Sequence, residues 1–280
     1  MIDHMVMYNA NVRSLPFAEQ CRAAALAGCN ELTISPADYR KHRAAGLTPQ
    51  VMKQMAEDNA VVITHLDPFV QWTPIWIPTD EHGAVDLSFI DFDEEQFFRI
   101  MDELGCRSLT AVGTFPKGTY PVSQVTDLFG ALCQRAAQRG FRVDLEFIPF
   151  LGVDTLANAW DIVGGANAQN SGIMFDMWHH RRSDSSDAFL ATIPGRWITG
   201  VQVNDGDAVI PEGVTLLEDC MMRRLVPGEG AFRVRDTLAV LKKTGGLNNV
   251  GPEVFSATFD ALPADEIASR CRESMAAMLA

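Results

Sequence analysis

Residues 142–176 read RVDLEFIPFLGVDTLANAWDIVGGANAQNSGIMFD. A short apolar run, 142–146, ends on an acid; a second, 172–176, ends the same way; between them, 155–164 carries apolar residues at helical spacing. Runs this short with no polar alternation predict strands buried on both faces, and the helix between them is long enough to bring the second strand back parallel to the first. The same alternation continues outward in both directions. Further strands are predicted at 4–8, 31–35, 61–65, 108–112, 198–203 and 250–255, and further helices at 17–26, 49–57, 94–104, 122–139, 185–192, 234–244 and 264–279. Gly28, Gly105, Gly140 and Gly245 stand just past four of these helices, where a left-handed C-cap is needed.

Eight strand–helix units in 280 residues predict an α/β fold, a single (β/α)8 TIM barrel. A doubly wound sheet is the alternative, but MYNANVRS (7–14) offers no glycine-rich first turn. No linker or low-complexity tract divides the chain, so 1–280 is read as a single domain. Two connections are long, 66–93 after strand 3 and 204–232 after strand 7. Both leave the carboxyl ends of strands, where barrels build their sites.

Composition narrows the function. With 47% hydrophobic and 21% charged residues the chain is globular, not disordered. A net charge of −13 offers no broad basic surface, which argues against a nucleic-acid partner. No apolar run long enough for a membrane span and no basic-then-apolar leader is visible, so a cytoplasmic protein without membrane contact is expected. The six cysteines show no paired spacing and are expected to be reduced core residues.

The chemistry lies at the ends of the last four strands: Glu146 in RVDLEF, Asp176 in GIMFD, Gln202 in ITGVQVND and Glu253 in VGPEVFS. A barrel gathers neighbouring strand ends onto one rim, so four oxygen-bearing side chains converge there. Three carboxylates that close need a positive charge among them. A hard oxygen set points to one divalent cation, Mn²⁺ or Mg²⁺, with Co²⁺ or Zn²⁺ as substitutes. His179, three residues past Asp176, can reach over the rim as an acid, a base or a hydrogen-bonding group.

The order strand-end Glu, Asp-x-x-His, Gln or His, then Glu resembles the xylose isomerase-like TIM-barrel superfamily, often described as the sugar phosphate isomerase/epimerase family. LEFIPF, FDMWHHRRSD, GVQVND, LVPGEG and GPEVFS carry the likeness, which covers nearly the whole chain. The resemblance implies metal ligands at Glu146, Asp176, Gln202 and Glu253, and proton transfer by Glu146 and Glu253. It also implies a substrate contact at His65, which ends the predicted strand 3. Proton abstraction beside a carbonyl is the chemistry most of the superfamily shares. One departure is Ile148, where the dehydroshikimate dehydratases carry a histidine. Too few histidines are available for the trinuclear zinc site of the DNA-repair endonucleases.

Arg181 and Arg182 after strand 6, and Arg223 and Arg224 after strand 7, are candidates for a substrate carboxylate or phosphate. Trp72 and Trp76, with Phe69, mark the long loop after strand 3 as an aromatic lid that would stack on a ring. The leading expectation is a metal-dependent isomerase or epimerase acting on a keto-polyol or sugar-like small molecule through an enolate or enediolate. A lyase of the same fold, either a dehydratase or a 3-keto-glycoside deglycosidase, is the runner-up. A non-catalytic sugar-binding or accessory subunit and a homo-oligomer both stay open.

Overall fold

The computed structural model describes residues 4–76 and 89–280. Eight parallel strands run in sequence order: β1 Val6–Met7, β2 Glu31–Ile34, β3 Val62–Phe69, β4 Ser108–Val112, β5 Arg142–Glu146, β6 Ser171–Asp176, β7 Ile198–Val203 and β8 Val250–Pro252. A parallel bridge between Met5 and Val250 brings β8 against the first strand, so the sheet is a nearly closed (β/α)8 barrel. Gly251 permits this junction: a Cβ there would stand 1.7 Å from the Val6 carbonyl oxygen.

Every residue of β4, β6 and β7 is buried, as strands with helices outside and a packed interior must be. The main apolar core lies between the strands and the helices outside them, where Leu32, Leu109, Leu145 and Val201 meet residues such as Phe97, Phe129 and Leu241. Inside, Val6, Tyr8 and Met174 form a small plug beneath the mouth. The helices Phe17–Leu26, Glu94–Leu104, Val234–Thr244 and Ala264–Leu279 have the expected bounds. Gly28, Gly105, Gly140 and Gly245 all take positive φ. All six cysteines are buried and unpaired. Among the described residues no helix is long and apolar enough to cross a membrane.

Two differences from the expected elements bear on function. β3 does not stop at His65 but continues through Asp67 and Pro68 to Phe69. The segment after β6 is a helix, Met177–Arg182, rather than a loop.

Candidate active site at the barrel mouth

β5 and β6 end on Glu146 and Asp176, while β7 presents Gln202 one residue before its end. Asp176 pairs in register with Gln202, which puts their side chains at one height on the inner wall. Glu253 follows directly on β8 and is held there by its N–H donating to the Val203 carbonyl, 2.9 Å. All four expected ligands therefore face the same carboxyl-end mouth, each at most 6% exposed.

Asp176 has two tasks. Its Oδ1 accepts the His179 backbone N–H at 2.8 Å, capping the helix Met177–Arg182, and this turns the His179 ring back over the strand ends. One ligand atom each from Glu146, Asp176 and His179 then lies within 4.8 Å of the others. The His179 Nε2 is 3.5 Å from Glu146 Oε1, and its Nδ1 has no partner. Burial holds this imidazole neutral, with its pKa lowered to about 3. Glu253 stands outside this compact trio: its Oε1 accepts Gln202 Nε2 at 2.8 Å and its Oε2 accepts Arg224 Nη1 at 2.9 Å.

Arg224 reaches the site differently from the expectation of a substrate clamp. It is 2% exposed, and the same Nη1 donates to Asp176 Oδ2 at 2.7 Å. Its guanidinium carbon lies 5.6 Å from the centre of the Trp178 ring and 4.9 Å from that of Phe255, and Nε is tied to the Cys220 carbonyl. The arginine thus bridges two carboxylates, and Asn204 Nδ2 adds a further donor to Asp176 Oδ2 at 3.0 Å. Although burial alone would raise the Asp176 pKa, the charge of Arg224 and the hydrogen bond from the His179 backbone N–H leave it below the usual carboxylate value. Arg224 is bonded to Asp176 and Glu253 and acts on Glu146 only at a distance. Burial, reinforced by the charge of Asp176, pushes the Glu146 carboxyl up to about 8.

These residues fit a divalent ion on two counts. The Gln202 Oε1 is buried with no hydrogen-bond partner, as an oxygen reserved for a cation would be. Fully ionised, Glu146, Asp176 and Glu253 would set three negative charges against the single positive charge of Arg224; without a further cation burial raises the Glu146 and Glu253 carboxyls, and a divalent ion would let all three ionise in a neutral cluster.

Other expected contacts are not brought to the mouth. His65 lies mid-strand, paired with Ser108 at the start of β4, and faces a cavity of about 260 Å³ at the opposite end of the barrel with Glu31, Arg107 and Arg142. The extension of β3 is the reason, since the residue at mouth level becomes Asp67. Trp72 is a core residue: it is 4% exposed, packs edge-on against Phe115 and Phe129, and donates Nε1 to the Val112 carbonyl at 2.9 Å. Arg181 is engaged by Asp187 and Thr237, and Arg182 by Asp219 and the Asp207 carbonyl. Trp76 remains near the rim, half-buried with Ile148 and Leu151 beside Val112. The lid expected over 66–93 lies partly outside the described residues, at 77–88. The LVPGEG turn is held by Asp205, which accepts from the N–H groups of Gly228 and Phe232, while Glu229 pairs with Arg270.

Sequence reasoning overlooked Asp67 and Asn204. Asn204 is two residues past Gln202 and so on the same strand face, a parity signal that was available. Asp67 precedes Pro68, and a residue before proline favours extended backbone, which foreshadowed the longer strand.

The description "Xylose isomerase-like TIM barrel" matches this chain over residues 21–278. A 3-dehydroshikimate dehydratase of Pseudomonas putida is 26% identical over 248 residues, 88% of this chain and 37% of that protein. An inosose isomerase of Bacillus velezensis is 30% identical over 142 residues, 50% of this chain and 49% of that protein. The chain spans about half or less of the length of these curated relatives. In fold it is similar to the structure of an IolI protein with a bound zinc atom, with a TM-score of 0.83, 18% identity, and coverage of 99% of this chain and 98% of that one. The chain belongs to the xylose isomerase-like TIM-barrel family.

Proposed function

We propose that the protein is a divalent-metal-dependent isomerase or epimerase that moves a proton next to the carbonyl of a polyhydroxy ketone or related sugar derivative. The convergence of Glu146, Asp176 and His179 to within 4.8 Å, next to the unpartnered Oε1 of Gln202, carries this reading. Glu146, Asp176, Gln202 and Glu253 would hold one ion; their oxygens suit Mn²⁺ or Mg²⁺, and zinc is named in the IolI structure. When bound, such an ion supplies positive charge where negative charge develops on the substrate oxygens.

The chain's own groups supply the proton handling. Glu146 ends β5 and Glu253 follows β8, on either flank of Asp176 and Gln202. A carbon lying between them can lose its proton to one carboxylate and regain one from the other, which inverts a centre or shifts the carbonyl. His179, neutral and adjacent to Glu146, orients that carboxylate and offers a ring nitrogen to a substrate hydroxyl. Arg224 fixes Asp176 and Glu253 by hydrogen bonds and keeps Asp176 ionised. Trp76 contributes the aromatic wall.

A lyase is the second reading, favoured by the likeness to a 3-dehydroshikimate dehydratase. Elimination begins with the same proton abstraction and differs in where the leaving group sits. Proton NMR of ketoses incubated in D₂O with metal-loaded protein separates the two. Deuterium appearing beside the carbonyl without loss of water marks isomerisation, and a new enone marks elimination. Binding without exchange would leave a sugar-binding accessory protein and sink both enzymatic readings.

A further inference from the structure

The mouth contains a carboxylate that none of the roles above uses. Asp67 sits near the carboxyl end of β3. Leu66 and Phe69 both pack outward into the main core, and Asp67, in the irregular stretch between them, is turned toward the carboxylates of the barrel interior. In strand order β3 is four steps from β7, which puts Asp67 across the mouth from Gln202. It is half-buried. Burial, followed by the charge of Glu146, pushes its carboxyl well above the usual carboxylate range, and the other carboxylates acting on it are Asp176 and Asp144. That is the electrostatic surrounding of a group facing negative charge with no cation of its own.

The rim arginines and lysine do not relieve it. Arg13 pairs with Asp260 at 2.6 Å, Lys117 with Asp154 at 2.8 Å, Arg181 with Asp187 at 2.9 Å and Arg182 with Asp219 at 2.9 Å. Arg224 is committed to Asp176 and Glu253, and the exposed Arg223 lies 4.0 Å from Asp207. A phosphate or carboxylate on the ligand needs charged N–H donors to replace its water. Hydroxyl groups need acceptors, which this wall has in excess.

We infer that Asp67 is a specificity-determining residue that accepts hydrogen bonds from ligand hydroxyls, and that the mouth selects an uncharged polyhydroxylated ketone over its phosphorylated or carboxylated counterparts. This rests on the keto-polyol reading above and narrows it. Inosose meets the requirement; dehydroshikimate, which carries a carboxylate, does not.

The test uses the Mn²⁺-loaded protein and two pairs of probes, D-fructose with D-fructose 6-phosphate, and an inosose with 3-dehydroshikimate, with dissociation constants measured by calorimetry. The uncharged member of each pair should bind about tenfold or more tightly than the anionic one. Asp67→Asn should weaken the uncharged probes by about tenfold, the scale of one buried hydrogen bond, and narrow the gap within each pair, with the manganese stoichiometry unchanged. Asp67→Ser serves if the asparagine variant folds poorly, and the wild-type comparison stands without either. Equal or tighter binding of the anionic probes, an unchanged preference in the variants, or no binding of either uncharged probe overturns the inference. Manganese stoichiometry and deuterium exchange on the same samples report separately on the broader reading. Retained metal and exchange with a preference for anions would sink only the role of Asp67, whereas loss of both would sink the keto-polyol site itself.

Discussion

At the residue scale, the arrangement turns on how Asp176 is shared. One oxygen caps the helix Met177–Arg182 and the other takes Arg224 and Asn204, so the spacing Asp-x-x-His works through the backbone: the cap fixes where His179 begins its turn. The His179 side chain is consequently free of structural hydrogen bonds other than the 3.5 Å approach to Glu146. His179→Ala should therefore keep the helix and the metal, because the cap uses a backbone N–H that alanine retains. Turnover of the true substrate should drop by about 10² or more, the scale of a lost proton-transfer group. Metal analysis beside kinetics checks this, and loss of metal together with activity would make His179 a ligand instead. Arg224 shows where residue-level reading of the sequence stops. Two adjacent arginines in MMRRLVPGEG look alike on paper, yet one is exposed near Asp207 and the other is the buried bridge between two strand ends.

Among the elements, strand–helix alternation was legible from hydrophobic runs and glycine caps, and the helices Phe17–Leu26, Glu94–Leu104 and Val234–Thr244 lie where those signals put them. The ends of strands are harder to read, because β3 mixes apolar and polar residues along VITHLDPF and nothing in its composition marks where it stops. The continuation of the strand past His65 moves the mouth-facing position two residues on, to Asp67, and consigns the histidine to the far end of the barrel. The aromatic loop was misleading for a related reason: tryptophan is as suited to a core as to a binding face, and only the Val112 carbonyl beside its Nε1 and the two rings against it reveal which role Trp72 has. Trp72→Ala should accordingly act on stability, lowering the unfolding free energy by about 3–5 kcal/mol through the cavity it leaves. Urea denaturation measures this. A stability within error of wild type, with weakened substrate binding, would return Trp72 to the pocket.

For the whole molecule, the barrel is unevenly held. β3 through β7 form long ladders, whereas β1 has two residues and β8 three, joined by the single bridge of Met5 to Val250. The proposed ion would bind side chains from β5, β6, β7 and the residue following β8, adding a cross-tie on the side where the ladders shorten. It would also relieve the repulsion of three buried carboxylates that Arg224 compensates only in part. An unfolded chain offers no such site, so the free energy of binding appears as stability of the fold. Metal-free protein titrated with MnCl₂ should show a melting temperature that rises with concentration, with a stabilisation of about 2.7 kcal/mol once the free ion exceeds its dissociation constant a hundredfold. The double variant Glu146→Gln with Asp176→Asn should lose that response, and with it the metal retained after purification. It need not be less stable than metal-free wild type, because it has also lost two of the repelling charges. A melting temperature of the double variant that still climbs with manganese as the wild type does would place the ion elsewhere, and would remove the electrostatic reason for gathering four oxygen ligands at one end of the barrel.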